Sequence, residues 1–291
     1  MDNRPIGFFD SGLGGLTCIP YLMRALPNER IIYFGDTART PYGSKAEKTI
    51  RAFGCEIAGF LAAQDVKMIA IACNTVSSIA LEDIRRRHPE TPVLGIISPA
   101  SHTVAKTCAP ENRIGVIGTK ATIHSAAYPD KILEYNPALD IYQQACPALV
   151  PLIEEGIIES EIMDLTLRYY LDSFLAYNEI DTLVLGCTHY PLVRRNITRL
   201  YPGLRIIDPS EEMLESIRDT LERLDIYADP AADSAGMPGA RRVDNIFYAS
   251  DLSESFVNMI NRIFAGTNLR VTFKNIDLDE ISERRDIGHG F

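Results

Sequence analysis

Two α/β halves, each built on a mostly parallel, doubly wound sheet, with a site in the cleft between them, are what this sequence predicts. Three observations carry the prediction. Short apolar runs alternate with segments of helical period, the pattern of βα units in a parallel sheet. A chain of 291 residues suits two cores better than one. The second part of the chain also repeats the first: Arg113-Ile114-Gly115-Val116-Ile117-Gly118-Thr119 restarts the pattern of Ile6-Gly7-Phe8-Phe9-Asp10-Ser11. From Gly7 to Cys73 is 66 positions and from Gly115 to Cys187 is 72, the near-constant separation expected of a duplicated unit.

In order, residues 5–9 read as a buried strand, and Asp10-Ser11-Gly12-Leu13-Gly14-Gly15 as the turn into a helix. Residues 31–34 form the next strand. Ser44 and Glu47 make a capping-box pattern, after which Ile50, Phe53, Ile57, Phe60 and Leu61 recur at helical spacing. A strand over 66–71 leads to Cys73, and Val76, Ile79, Ala80 and Ile84 predict one helix face ending in Arg85-Arg86-Arg87. Cations at a helix C-terminus complement its dipole, so that run reads as a solvated helix end and not as a nucleic-acid patch. Strands follow over 93–97, 113–119, 181–185 and 204–208, then a helix with Leu214, Ile217, Leu221 and Leu224 on one face and a cap at Ser210. Residues 228–240 are rich in turn formers and predict a mobile surface loop. A last βα unit, with a strand over 245–249 and a helix face of Phe256, Val257, Ile260, Ile263 and Phe264, is too small to stand alone and should pack on the first half. The expected division is therefore 1–97 plus 209–291 for the first domain and 98–208 for an inserted second. The tail after Lys274 is weakly patterned, and His289 in it reads as solvated.

Composition excludes several classes. Hydrophobic residues at 46% and charged residues at 23% are those of an ordinary globular protein. A formal net charge of -10 argues against general nucleic-acid binding, which needs cations to neutralise phosphates. No apolar run approaches the length that crosses a bilayer, and the first residues lack a secretory h-region, so a cytoplasmic protein with no membrane role is expected. In that compartment the six cysteines should be reduced, and their scatter fits no CxxC motif.

The candidate chemistry lies where the halves match. Ala72-Cys73-Asn74-Thr75 and Gly186-Cys187-Thr188-His189 each follow a predicted strand, at the sheet edge where α/β proteins hold ligands. A single buried cysteine is commonly just a small apolar residue, and Cys18 and Cys55, which fall in predicted helices, read that way. Two at equivalent points of a repeat read differently. A helix N-terminus is expected beside each, favouring thiolate, and His189 stands two residues from Cys187 to exchange a proton. Two thiols facing each other across a ligand can remove a proton from one face of a carbon and return one to the other, which is racemisation or epimerisation. Asp10, at the end of the first strand, would repel a pyrophosphate, and Thr17 stands where a dinucleotide loop needs glycine. An acid there suits an ammonium group or a neighbouring base. Proline-bearing loops, Pro41-Tyr42-Gly43 and Cys146-Pro147, occupy similar places in the two halves.

Four segments resemble the signatures of bacterial glutamate racemases: residues 6–17; Tyr33-Phe34-Gly35-Asp36-Thr37-Ala38-Arg39-Thr40-Pro41-Tyr42-Gly43; Ala72-Cys73-Asn74-Thr75; and Leu185-Gly186-Cys187-Thr188-His189-Tyr190-Pro191-Leu192. The likeness runs from about residue 5 to about residue 273. It implies a homodimeric isomerase, independent of pyridoxal and of metal and so without cofactor, that supplies D-glutamate for peptidoglycan. It further implies that Cys73 acts on the D-enantiomer and Cys187 on the L-enantiomer, with Asp10 and His189 assisting. Ser11, Asn74, Thr75, Thr119 and Thr188 would hold the polar groups of the substrate glutamate, and Pro41, Tyr42 and Gly43 would line the site. Asp36 and Glu154 match acids of the family with less defined roles. The chain departs from the pattern at Ile97-Ser98-Pro99-Ala100, where many members carry Glu-Pro-Gly at the domain junction. The competing readings are an aspartate or broader amino-acid racemase, a zinc hydrolase using Cys73, Cys187 and His189, and an added binding role, since some glutamate racemases inhibit DNA gyrase.

Overall fold

The computed structural model describes residues 1–229, 245–264, 271–277 and 281. Its strands are β1 (Ile6–Asp10), β2 (Ile31–Gly35), β3 (Met68–Ile71), β4 (Val93–Gly95), β5 (Arg113–Gly118), β6 (Asp140–Ala145), β7 (Thr182–Gly186), β8 (Arg205–Ile207), β9 (Asn245–Ala249) and β10 (Val271–Asn275). They form a six-stranded sheet of order β10-β9-β2-β1-β3-β4 and a four-stranded sheet of order β6-β5-β7-β8. Every pairing among them is parallel. The order β2-β1-β3-β4 in one sheet is the order β6-β5-β7-β8 in the other, so the repeat in the sequence is a repeat in topology. The register agrees as well: Ile6 of β1 faces Ile31 and Met68, and Ile114 of β5 faces Ile141 and Thr182.

Parallel strands covered on both faces read as continuous apolar runs, and β1, β2, β3 and β7 are buried throughout. Successive side chains go to opposite faces. Phe9, Ile32, Phe34, Ile69 and Ile71 pack beneath Ile50, Ile57, Phe60 and Leu61 of the helix Glu47–Ala62. Phe8, Ile6, Tyr33 and Met68 face the helices Ile19–Ala25, Pro209–Arg223 and Glu254–Ile263, in a core continuous with that of the second sheet. The last βα unit returns to the first sheet as expected, β9 pairing with β2. A buried ion pair, Lys67 to Glu29 at 2.5 Å, ties the N-terminus and the segment at Ile226–Ala228 to the foot of the sheet. The Lys67 ammonium also donates to the carbonyls of Asp2 and Ile226, and Glu29 accepts from the Ala228 amide.

Several local expectations are corrected. The capping box of Ser44 and Glu47 does not form. Ser44 closes a 3-10 turn, Tyr42–Ser44, and the helix starts after Ala46 with no side-chain cap. The helix after Cys73 is two, Asn74–Ile79 and Leu81–Arg87, broken at Ala80. Strand β4 ends at Gly95, because the helix Ile97–Thr107 begins where the strand was expected to continue. The helix Pro209–Arg223 is capped by Asp208, which accepts from the Ser210 amide at 2.9 Å, so Ser210 lies inside the helix. Val257 is exposed, and the buried face of its helix is Phe256, Met259 and Ile260. Strand β10 is an element the sequence pattern does not predict, and it ends at Asn275, one residue into the weakly patterned tail. The predicted loop from residue 230 onward and His289 lie outside the described residues.

The arginine run is a helix end. Arg85 reaches Glu82 and the Val93 carbonyl, and Arg86 reaches Asp83. Among the described residues no helix is long and apolar enough to cross a membrane.

Candidate active site

Both sheets present the carboxyl ends of their central strands to one cavity of about 200 Å³. From the first sheet come Ser11 after β1, Pro41, Tyr42 and Gly43 after β2, and Cys73, Asn74 and Thr75 after β3. The second sheet contributes Thr119 after β5, Pro147 after β6, and Cys187, Thr188 and His189 after β7. Equivalent loops of the repeat thus face one another, and the two proline loops noted in the sequence meet at the same cavity. All six cysteines are buried, but Cys18, Cys55, Cys108 and Cys146 do not line it.

The two thiols sit in unlike surroundings. Cys73 caps the helix Asn74–Ile79, its sulfur accepting from the Val76 amide at 3.5 Å, and its thiol donates to Ser11 Oγ at 3.3 Å. Burial pushes this thiol up to about 12, the Asp10 carboxylate adds to the rise, and the hydrogen bonds with Ser11 and the Val76 amide oppose it. Cys187 has no such helix. The chain after it makes the short 3-10 turn Tyr190–Val193, which corrects the expectation of a helix N-terminus beside both cysteines. Its partner is His189, with Nδ1 at 3.8 Å from the sulfur and Nε2 donating to Glu154 Oε1 at 3.0 Å. Burial opposes protonation of His189, but the Cys187 sulfur and the Glu154 carboxylate outweigh it and hold the imidazole well above its ordinary value.

Asp10 lies behind the cavity wall, fully buried, where its carboxylate accepts from the Gly12 amide at 3.1 Å and from the Thr188 hydroxyl at 3.3 Å. Burial raises it, while the charge of His189 and the amides of Gly15 and Gly12 act the other way. Thr188 belongs to the second half, so Asp10 ties the halves together. Asp36 is also buried and does not line the cavity. It accepts from Tyr42, from Arg39 Nε at 2.7 Å and from Ser250 at 2.8 Å, which fixes the loop carrying Pro41 and Tyr42.

Glycine is required where the halves touch. A Cβ on Gly14 would fall 2.3 Å from Thr188 Oγ1 and 2.6 Å from His189 Nδ1, and one on Gly43 would fall 2.4 Å from the Thr119 Cβ. Opposite them, the hydroxyls of Thr75, Thr119 and Thr122 form a triangle of 3.0, 3.1 and 3.3 Å across the junction. Thr122 and the lining residues Thr40, Ser44, Lys120, Val150 and Pro151 are absent from the sequence-based set. Lys120 directly follows Thr119, as the first residue of the helix Lys120–His124 that Thr119 caps. Among the described residues no group of three or more His, Cys, Asp or Glu side chains is placed to hold a metal ion, although Cys73, Cys187 and His189 share the cavity.

Two like-ordered parallel sheets closing on one cavity, each delivering a cysteine from the end of its third strand, define a class of duplicated α/β enzymes. Residues 18–217 match the family model of Asp/Glu/hydantoin racemases, and the chain belongs to that family of isomerases. Relatives named glutamate racemase match most of its length. That of Geobacter metallireducens is 39% identical over 267 residues, 91% of this chain and 94% of its own. Among solved structures, the Francisella tularensis glutamate racemase in complex with D-glutamate is 36% identical with a TM-score of 0.84, covering 96% of this chain and 100% of that one. A glutamate racemase isoform from Bacillus anthracis is 30% identical with a TM-score of 0.85, covering 96% and 99%.

Proposed function

We infer that this chain is a glutamate racemase that interconverts the L- and D-enantiomers by proton transfer at Cα, using Cys73 and Cys187 as the two acid–base groups and no cofactor. The observation that carries this reading is the convergence of the two cysteines, from equivalent points of a repeat, on one cavity. A base on one face of Cα and an acid on the other invert the centre in a single passage, because the proton leaves toward one sulfur as another arrives from the opposite one.

In the resting arrangement Cys73 is held as thiol and Cys187 faces a protonated imidazole, the charge state that stabilises a thiolate. Cys187 then removes the proton of L-glutamate and Cys73 supplies one to the other face. The reverse direction needs the opposite pair of protonation states. The His189 imidazolium, its ring oriented by Glu154, steadies the Cys187 thiolate until the Cα proton arrives, and Asp10 stands behind Cys73 in the corresponding place. Ser11, Asn74, Thr75, Thr119 and Thr188 supply hydroxyl and amide groups for the carboxylates and ammonium of the substrate. Residues 1–97 with 209–291, and 98–208, are the two bodies that enclose it.

The reading extends to a homodimer working in the cytoplasm and supplying D-glutamate for peptidoglycan. The test follows Cα deuterium incorporation and optical rotation in deuterium oxide, with each enantiomer of glutamate and of aspartate in parallel. Conversion of both glutamate enantiomers with deuterium at Cα is the expected result. Failure to exchange either one would remove the reading, and faster conversion of aspartate would reassign the substrate. Glutamate and aspartate differ by one methylene, a difference that apolar contacts discriminate only about 10- to 200-fold.

A further inference from the structure

Tyr128 touches both cysteine loops without lining the cavity. It lies in the helix Ala127–Tyr135 of the second half, fully buried. Its hydroxyl crosses to the first half and donates to Asn74 Oδ1 at 2.6 Å, immediately after Cys73. Its ring packs at the end of β7, where a Cβ on Gly186 would fall 3.2 Å from Tyr128 Cε2, immediately before Cys187. The backbone makes an unusual concession just ahead of it: Ala126 adopts the left-handed conformation, with φ of 53°, a region that disfavours side chains bearing a Cβ. Strain of this kind persists where surrounding structure demands it, and it clusters at functional sites.

The consequence falls on Asn74. A primary amide has one end that accepts and one that donates, and Tyr128 occupies the accepting end. Asn74 lines the cavity, yet its Nδ2 is buried with no hydrogen-bond partner in the protein. A buried donor left unpaired is costly unless a ligand brings the acceptor. We propose that Tyr128 is a positioning residue that fixes the Asn74 amide so that its N–H2 is kept for a carboxylate oxygen of the substrate, while its ring sets the spacing between the Cys73 and Cys187 loops. The phenol keeps its proton for this task, since burial, and then the charges of Asp208 and Cys187, hold it well above the ordinary tyrosine value.

The inference rests on the racemase reading, and its test separates the two. Wild type, Tyr128→Phe, Asn74→Ala and the double variant are compared by kcat and KM for glutamate in both directions, with thermal unfolding of each. An inactive wild type would defeat the racemase reading itself. With an active wild type, Tyr128→Phe should raise KM and lower kcat/KM about tenfold, roughly one neutral hydrogen bond, and should cost less than about twofold once Asn74 is already Ala. Equal losses in the two backgrounds, or no loss in either, would overturn the proposal. Asn74→Asp keeps the acceptor that Tyr128 needs and removes the N–H2 donor. It should raise KM with the melting temperature unchanged, and an unaltered KM there would also overturn the proposal.

Discussion

The Cys73 loop and the Cys187 loop occupy equivalent places in two sheets of the same strand order, yet they support their thiols in different ways. Cys73 leans on backbone and hydroxyl: the Val76 amide at the head of a helix, and Ser11 from the turn after β1. Cys187 leans on a side-chain relay running through His189 to Glu154. Burial and the Asp10 carboxylate keep the first sulfur as thiol against the pull of Ser11 and the Val76 amide, whereas the second sulfur faces an imidazole held toward its protonated form. A repeated fold therefore supplies symmetry of position without symmetry of protonation, and an enzyme working in both directions must cross that imbalance on every turnover.

The contrast breaks most sharply if the cysteines are removed singly. Cys73→Ala and Cys187→Ala should each reduce interconversion by about 10³-fold or more, since each direction needs both a base and an acid. What remains distinguishes them. With Cys73→Ala, Cys187 can still take the Cα proton of L-glutamate and return deuterium to the same face, so NMR in deuterium oxide should show exchange without inversion for L-glutamate and none for D-glutamate. Cys187→Ala should show the converse. The reversed pattern would exchange the faces assigned to the two thiols.

A smaller effect is expected from Gly14→Ala, which presses on one loop alone. The added methyl meets Thr188 and His189, behind Cys187. Overpacking at such a site costs about 1–3 kcal/mol, and denaturant unfolding should register it. Gly59→Ala is the control: nothing lies within 4 Å of its added Cβ, and glycine inside the helix Glu47–Ala62 should give way to alanine with a gain of roughly 0.5–1 kcal/mol. Equal stability of the Gly14 variant and wild type would mean that the Cys187 loop is not held against the first half.

The subtlest separation is in pH. The kcat profile for D-glutamate, in which Cys73 must be thiolate, should rise at higher pH than that for L-glutamate, because burial and Asp10 hold this thiol up at about 12. The comparison belongs to kcat. With enantiomers of equal free energy, the Haldane relation forces kcat/KM to coincide in the two directions at every pH. Superimposable kcat profiles would mean that the two thiols are equivalent once substrate is bound.

The sequence carries this architecture because parallel strands buried on both faces read as apolar runs, and because Cys73 and Cys187 mark the same point of a repeat. It is silent where tertiary contacts overrule local pattern. Ser44 cannot box with Glu47, since the loop from Pro41 winds into a turn that Asp36 holds through Tyr42 and Arg39. Strand β10 lies at the sheet edge with Thr272–Asn275 exposed, so it lacks the unbroken apolar run of an inner strand. Asp36 shows the limit at the site: the motif marks it as an acid without a defined role, whereas its partners make it a fixture of the loop. Tyr128 shows the opposite limit, since a tyrosine in a helix carries no local sign that its hydroxyl will cross to the other half.

The glycines at the junction bear on how such a protein can be altered by exchange of parts. Gly14 leaves room for side chains of the Cys187 loop, and Gly43 for Thr119 beyond β5. Each half has thus become the mould for the other, and the mould is an absence of atoms that no comparison of one half alone would show to be necessary. A chimera that takes its second sheet from a relative would tolerate many differences at the helix surfaces. It would fail wherever the incoming Thr119, Thr188 or His189 positions were not matched by the glycines that receive them.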